Sequence, residues 1–219
     1  MPDRAGIVLC HGADGPAALL GEWLEERAMP FAVHDVSAAP VPALGEAAFV
    51  VSLGSERSVN DTAIPWVAAE LELLRTAVSA AVPVLGLCFG GQALSVALGG
   101  EVAAARAPQI GWFELSGDTA EIASGPWFHW HYEQLAVPPG GRELARSPVG
   151  PAAFRHGPHL GTQFHPEVTT GVIATWSRSE AELAKLGIER DALVAESERR
   201  AQAARTRAWT LFDAWLASD

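Results

Sequence analysis

A thiol is a useful nucleophile near neutral pH only where something presents it and favours its ionised form. The chain has two cysteines, Cys10 and Cys88, and only Cys88 stands in such a frame. The run Pro83-Val-Leu-Gly-Leu-Cys-Phe-Gly-Gly-Gln92 reads as a buried strand ending at Leu87, then Cys88 on the turn, then a helix starting around Gly90. Gly86 and Gly90 lie two before and two after the sulfur, where a sharp strand-to-helix turn requires small residues. The N–H groups of a helix N-terminus beneath the sulfur would favour the thiolate. Such a nucleophile needs a base, and Gln163-Phe-His-Pro-Glu167 supplies one at the end of another candidate strand. His165 could take the thiol proton, and Glu167, held by Pro166, could accept the other ring N–H and fix the tautomer. Cys10, at the end of an apolar strand, reads as structural. His129 and His131 have the spacing of a metal pair on a strand, but no third ligand accompanies them, and no metal or other cofactor is expected. Trp112, Trp127 and Trp130 read as core or pocket wall rather than a platform for stacked bases.

These groups need a scaffold, and the first part of the chain alternates short apolar runs with helical patterns. Ile7–Cys10, Phe31–Val36, Ala48–Leu53 and Val82–Leu87 are strand candidates. Leu19, Leu20, Trp23 and Leu24 have helical spacing, and Trp66–Ala81 reads as a helix with Val67, Leu71, Leu74 and Val78 on one face. Strands apolar on both faces and separated by helices imply an α/β fold with an open, mostly parallel sheet flanked by helices on both sides. From Glu101 the pattern changes. Candidate strands at Gly111–Leu115, Trp127–Trp130, Arg142–Arg146, Ala152–Arg155 and Leu160–Phe164 follow without a helix between them, which predicts an antiparallel extension. After Ser177 apolar residues recur every three or four positions from Leu193 to Leu216, the pattern of one long amphipathic helix in a C-terminal helical segment.

Composition narrows the partners. With 219 residues, 49% of them hydrophobic and 19% charged, the chain is globular and long enough to fold without staples. Its 15 basic against 26 acidic residues give a net charge of −11, which repels a phosphate backbone, so no nucleic acid is expected. No apolar window is long enough to span a bilayer and no targeting signal is visible, so no membrane partner is expected. Two cysteines cannot build a disulfide framework, and the chain is read as cytoplasmic.

Together the two catalytic segments resemble the class I glutamine amidotransferases, whose signatures are a Gly-x-Cys-x-Gly-x-Gln elbow and a distal Gln-Phe-His-Pro-Glu. Gly86 to Gln92 carries every residue of the first and Gln163 to Glu167 every residue of the second. The resemblance covers roughly residues 5–177 and is nearest to stand-alone members similar to the amidotransferase part of GMP synthase. It implies a flavodoxin-like domain over 1–177, with 178–219 as a helical extension packed on it. It implies that Cys88 attacks the side-chain amide of glutamine or another γ-glutamyl compound, with His165 as base and then acid, and Glu167 orienting it. The oxyanion would lie between the N–H of Phe89 and that of Ser55 or Gly54. Gln92 matches a position that contacts the bound glutamine. Trp130, His131, Tyr132 and Glu133 match the stretch whose backbone holds its amino-acid end. Three functions follow: a glutaminase that passes ammonia to a separate synthase, a self-contained γ-glutamyl hydrolase or transpeptidase, and a catalytically idle binding relative. The intact triad favours the first two. Two departures stand out: Tyr132 occupies a place where the family usually keeps Gly or Ser, so its ring is expected to shape the pocket, and Gln109 replaces a common acidic residue.

Overall fold

The computed structural model describes residues 4–117 and 121–217. Strands β1 (Gly6–Cys10), β3 (Val50–Ser52), β4 (Val84–Leu87) and β10 (His159–Thr162) are buried at every residue, as strands must be when both sheet faces are covered. They pair in parallel in the order β1-β3-β4-β10, and β2 (Phe31–Asp35) adds a parallel edge beside β1. The edge strand departs from the expected two-sided burial: it leaves Val33 half exposed.

Beyond β10 the sheet turns antiparallel through β9 (Pro151–His156), β8 (Arg142–Arg146) and β6 (Ser116–Gly117), completing eight strands. Two of the strand candidates lie outside this extension. β5 (Val102–Glu114) and β7 (Pro126–Leu135) form a separate two-stranded ribbon, with a register shift between Ala104 and Gln109. Conversely, the last candidate in the series, Leu160–Phe164, belongs to the parallel half. β10 is buried on both sides and fits the slot beside β4, whereas β7 alternates buried and part-exposed positions towards its end.

Helices α1 (Ala18–Glu26) and the second half of α6 (Arg190–Leu216) cover one face of the sheet, and α2 (Pro65–Ser79) and α3 (Phe89–Ala97) the other. Trp23, Phe49, Phe212 and Trp215 fill the first core; Val67, Leu71, Leu74 and Leu94 fill the second. Burial of each such side chain contributes about 1.5–3 kcal/mol. The first half of α6 brings Leu193 to Ile110 and Phe128 under the ribbon, joined by Ile173 of α4 (Thr170–Trp176) and Leu183 of α5 (Glu180–Lys185). No helix among the described residues is long and apolar enough to cross a membrane.

This topology sets β1, β3, β4 and β10 side by side with their C-terminal ends on one edge. The loops leaving them carry His11, Gly54, Cys88 and His165. The carboxyl edge of an open parallel sheet is where such folds bind ligands.

Candidate active site

Cys88 caps α3 directly after β4, at φ 52° and ψ −105°. A non-glycine residue in that region costs about 1–3 kcal/mol and persists only where its surroundings hold it. Here the Cys88 N–H donates to the Thr162 carbonyl at 2.9 Å, and the Gly90 N–H to that of Leu53 at 3.2 Å. The glycines of the elbow are required by close approach. A Cβ on Gly86 would lie 2.3 Å from the Gly90 oxygen, and one on Gly90 would lie 2.0 Å from that of Ser52. The helix begins at Phe89, one residue earlier than the sequence pattern indicates, so the sulfur sits at its N-terminus.

His165 lies three residues beyond β10, its N–H bonded to the Phe128 carbonyl at 2.8 Å. Its Nδ1 lies 2.8 Å from Oε1 of Glu167, with both side chains buried. That contact leaves Nε2 for the thiol. Burial alone would lower the pKa of this ring, but the charge of Cys88 and then that of Glu167, with hydrogen bonds to both, raise it to about 10. Trp176 closes over the imidazole edge-on, with ring centroids 4.9 Å apart. Cys88 Sγ lies 3.7 Å from the Trp130 carbonyl and 3.9 Å from Nε2 of Gln163. Gly54 packs against the pair: a Cβ there would sit 2.7 Å from Cε1 of His165 and 3.8 Å from Cβ of Cys88. The fold therefore brings the sulfur, the ring, the carboxylate and the Gly54–Ser55 loop together at one point.

Phe89 is the first residue of α3, and its N–H has no hydrogen-bond partner among the described residues. Gln92 is buried, its Nε2 donating to the Glu133 carbonyl at 3.1 Å and lying 3.4 Å from Oε1 of Gln163. It thereby ties α3 to the Trp130–Glu133 stretch of β7. Within that stretch His131 faces inwards, Oε1 of Glu133 accepts from the Ser58 hydroxyl at 2.8 Å, and Tyr132 is 52% exposed on the opposite strand face.

His129 and His131 hydrogen-bond each other, Nδ1 to Nε2, at 3.2 Å, and Nδ1 of His131 meets the Glu133 carbonyl at 2.9 Å. A carbonyl only accepts, so His131 carries its proton on Nδ1 and takes the His129 proton on Nε2. Burial lowers the pKa of His131 to about 4, and burial with the neighbouring histidines puts His129 well below its ordinary value. Both rings are neutral at pH 7. Gln109 is buried opposite His131, with neither side-chain amide atom bonded among the described residues. Cys10 is buried, and burial, with Asp35 nearby, raises its pKa.

Two polar residues that the motifs do not contain also reach this edge. His11, directly after β1, bonds both the Gly54 carbonyl and Glu70 of α2. A histidine after an apolar strand was the only available signal for them. Glu70 is separated from His11 by 59 positions and lies on a helix face that otherwise reads as core.

Residues 48–175 match the family model of the class-I glutamine amidotransferases. Among curated proteins, a glutamine-hydrolyzing GMP synthase of Aeropyrum pernix is 35% identical over 180 residues, 76% of this chain and 33% of that protein. In Ignicoccus hospitalis, a chain named as one subunit of a glutamine-hydrolyzing GMP synthase is 34% identical over 96 residues, 39% of this chain and 51% of that one. The chain thus spans about a third of the first relative's length and matches half of the second's. Among solved structures, a glutamine amido transferase from Methylobacillus flagellatus superposes with a TM-score of 0.90 at 24% identity, covering 98% of this chain and 94% of that one. A glutamine amidotransferase from Thermotoga maritima gives 0.88 at 22% identity, covering 98% and 99%. At these identities the structural likeness speaks for the fold.

Proposed function

The chain belongs to the class I glutamine amidotransferases, and from that premise we propose that it hydrolyses the side-chain amide of glutamine with Cys88, His165 and Glu167. The observation that carries this reading is the buried convergence of the three groups, with Nδ1 of His165 held 2.8 Å from Glu167 and Cys88 presented at a helix N-terminus.

The charges at Cys88 and Glu167 keep a proton on His165. The sulfur attacks the amide carbon, and the developing oxyanion is stabilised by the N–H of Phe89 and one from the Gly54–Ser55 loop. His165 passes its proton to the departing nitrogen, which leaves as ammonia, and a γ-glutamyl thioester remains. Acylation removes the negative charge that had raised the His165 pKa, so the ring gives up its proton more readily at the moment it is required. Water, deprotonated by His165, then attacks the thioester. Glutamate leaves and the starting ion pair returns. Glu167 holds the tautomer and offsets the charge on the ring throughout. The Trp130–Glu133 stretch, braced by Gln92, would hold the amino-acid end of the substrate with its backbone.

Ammonia is the product of value in such a reaction, and we assign its use to a separate synthase chain. A relative named as one subunit of a synthase supports that arrangement. Free thiols at Cys10 and Cys88 suit a cytoplasmic setting. The second reading is a self-contained γ-glutamyl hydrolase, which the same three groups would serve. The deciding experiment incubates the purified protein with glutamine and a panel of γ-glutamyl amides and measures glutamate and ammonia. Release from glutamine, abolished in Cys88→Ala, is expected. Release only from substituted amides would favour the hydrolase, and none from any substrate would reject the triad as catalytic machinery.

A further inference from the structure

The His11 ring is buried between Trp66 of α2 and Phe89 of α3, with centroids 4.8 Å from each. Its Nε2 lies 2.8 Å from Oε2 of Glu70 and its Nδ1 lies 2.9 Å from the Gly54 carbonyl oxygen. The Ser52 hydroxyl donates to Oε1 of Glu70 at 2.5 Å. The side chains of His11 and Glu70 are 1% and 0% exposed. An acid and a base buried this fully cost several kcal/mol each in desolvation, which attraction recovers only with near-ideal geometry, so the pair is weak as a stability device. It adjoins the loop that faces Cys88, and the amidase mechanism above leaves it without a part.

The hydrogen-bond inventory decides the protonation. The Gly54 carbonyl can only accept, so Nδ1 bears a proton. Ser52 occupies Oε1 of Glu70, leaving Oε2 to share a proton with Nε2. The charged groups facing His11 are Glu70 from α2 and Asp35 at the end of β2; β3 and α3 contribute Ser52, Gly54 and the Phe89 ring. Burial lowers the His11 pKa, but the hydrogen bond and charge of Glu70, with help from the Gly54 carbonyl and Asp35, leave it raised. His11 thus donates from Nδ1 to Gly54, and Glu70 favours its charged form.

We propose that His11 is a positioning residue for the amidase reaction: its Nδ1–H holds the Gly54 carbonyl so that the N–H of Ser55, on the opposite edge of the same peptide, serves as the second oxyanion donor. The peptide unit is planar and trans, so fixing its oxygen fixes the direction of its hydrogen. A buried donor on the oxygen side also polarises the N–H towards the developing charge. Between Gly54 and Ser55, this selects Ser55. The inference rests on the amidase reading.

Two neutral polar replacements separate the roles of the ring nitrogens. In His11→Asn the side-chain amide nitrogen takes the place of Nδ1 and still reaches Gly54. In His11→Gln it takes the place of Nε2 and leaves the carbonyl unheld. Glutamate release from glutamine should fall about 100-fold in kcat for His11→Gln, the cost of one oxyanion donor, with KM little changed. His11→Asn should stay within about tenfold of the unmodified protein, since a neutral donor is weaker than a charged one. Alkylation of Cys88 by iodoacetamide forms no oxyanion and should be unaffected in both. Equal kcat in the two variants, or a parallel fall in alkylation, would overturn the assignment. A variant-independent arm uses the unmodified protein labelled with 15N in its imidazoles: His11 should show a proton on Nδ1 near pH 7, and a bare Nδ1 would refute it. If the unmodified protein alkylates at Cys88 but releases no glutamate, the amidase reading falls and takes this one with it. If it is active and His11→Gln matches it, this inference alone fails.

Discussion

Gly54→Ala probes the catalytic pair without touching either member. The added Cβ would stand 2.7 Å from Cε1 of His165, where carbon atoms rest comfortably at about 3.5–4.0 Å, so the ring or the loop must yield by roughly 1 Å. The loop is tied through the Gly54 carbonyl to His11, and the ring through Nδ1 to Glu167 and through its backbone to Phe128. The softest displacement is rotation of the imidazole away from the sulfur. A misplacement of about 1 Å in a catalytic group costs about 100-fold in rate, or about 2.7 kcal/mol at 1.36 kcal/mol per decade. A coupled glutamate assay should therefore show kcat reduced by about two orders of magnitude. Thermal unfolding followed by circular dichroism should show a folded protein, because the change lies in a loop at the sheet edge. Gly21→Ala serves as control: its new Cβ meets only Ala17 at 3.6 Å, and activity should hold. Unaltered kcat in Gly54→Ala would mean that His165 does not work from this position, and the mechanism built on it would have to be abandoned.

Cys88→Ala should abolish glutamate release while Cys10→Ala retains most of it, since only Cys88 faces His165; equal losses in two folded variants would contradict the elbow. His165→Ala should cost far more turnover than Glu167→Gln, because the base moves the proton and the carboxylate only orients it; full turnover in His165→Ala would rule out that ring as the base. Stability should also report the ion pair. The His165 pKa rises from 6.5 to about 10 on folding, so its contribution is complete below pH 6.5 and is lost as pH climbs towards 10. Melting temperatures measured from pH 7 to 10 should fall more steeply in the unmodified protein than in His165→Ala. Tyr132 is half exposed, on the strand face opposite His131, so Tyr132→Gly should change kcat/KM for glutamine by less than about threefold. A tenfold shift between glutamine and a bulkier γ-glutamyl amide would instead restore the ring to the pocket.

Much of this was legible because motif and geometry share a cause. The glycines of the elbow are visible in the sequence for the same reason that they are needed, namely that backbone from β3, β10 and the start of α3 passes within contact of them. His165 and Glu167 are two residues apart, so their pairing required no knowledge of the fold. The pairing of the later strands was less accessible. Turn chemistry on either side marks Trp127–Trp130 and Leu160–Phe164 as strands, but which neighbour each finds depends on the burial of both faces, which is settled by helices elsewhere in the chain. His11 and Glu70 mark the same limit for the site. Each is an ordinary polar residue beside apolar ones, and only the parallel register of β1 and β3 brings them to Gly54.

The last helix gives the fold a direction in time. Ala208, Leu211, Phe212 and Trp215 of α6 complete the same core as Leu20, Trp23 and Phe49, and Asp213 accepts from Trp23 Nε1 at 3.1 Å and pairs with Arg27. These contacts join segments separated by some 190 positions. Synthesis runs from the N-terminus, so β1, α1 and β3 leave the ribosome long before their covering residues exist. Until then part of that core, including the rings of Trp23 and Phe49, stays open to water and to other chains. Closing it is a late, long-range event of the kind that slows folding. A ribosome-bound chain arrested before Ala208 should therefore engage holding chaperones, while one extended beyond Leu216 should let go.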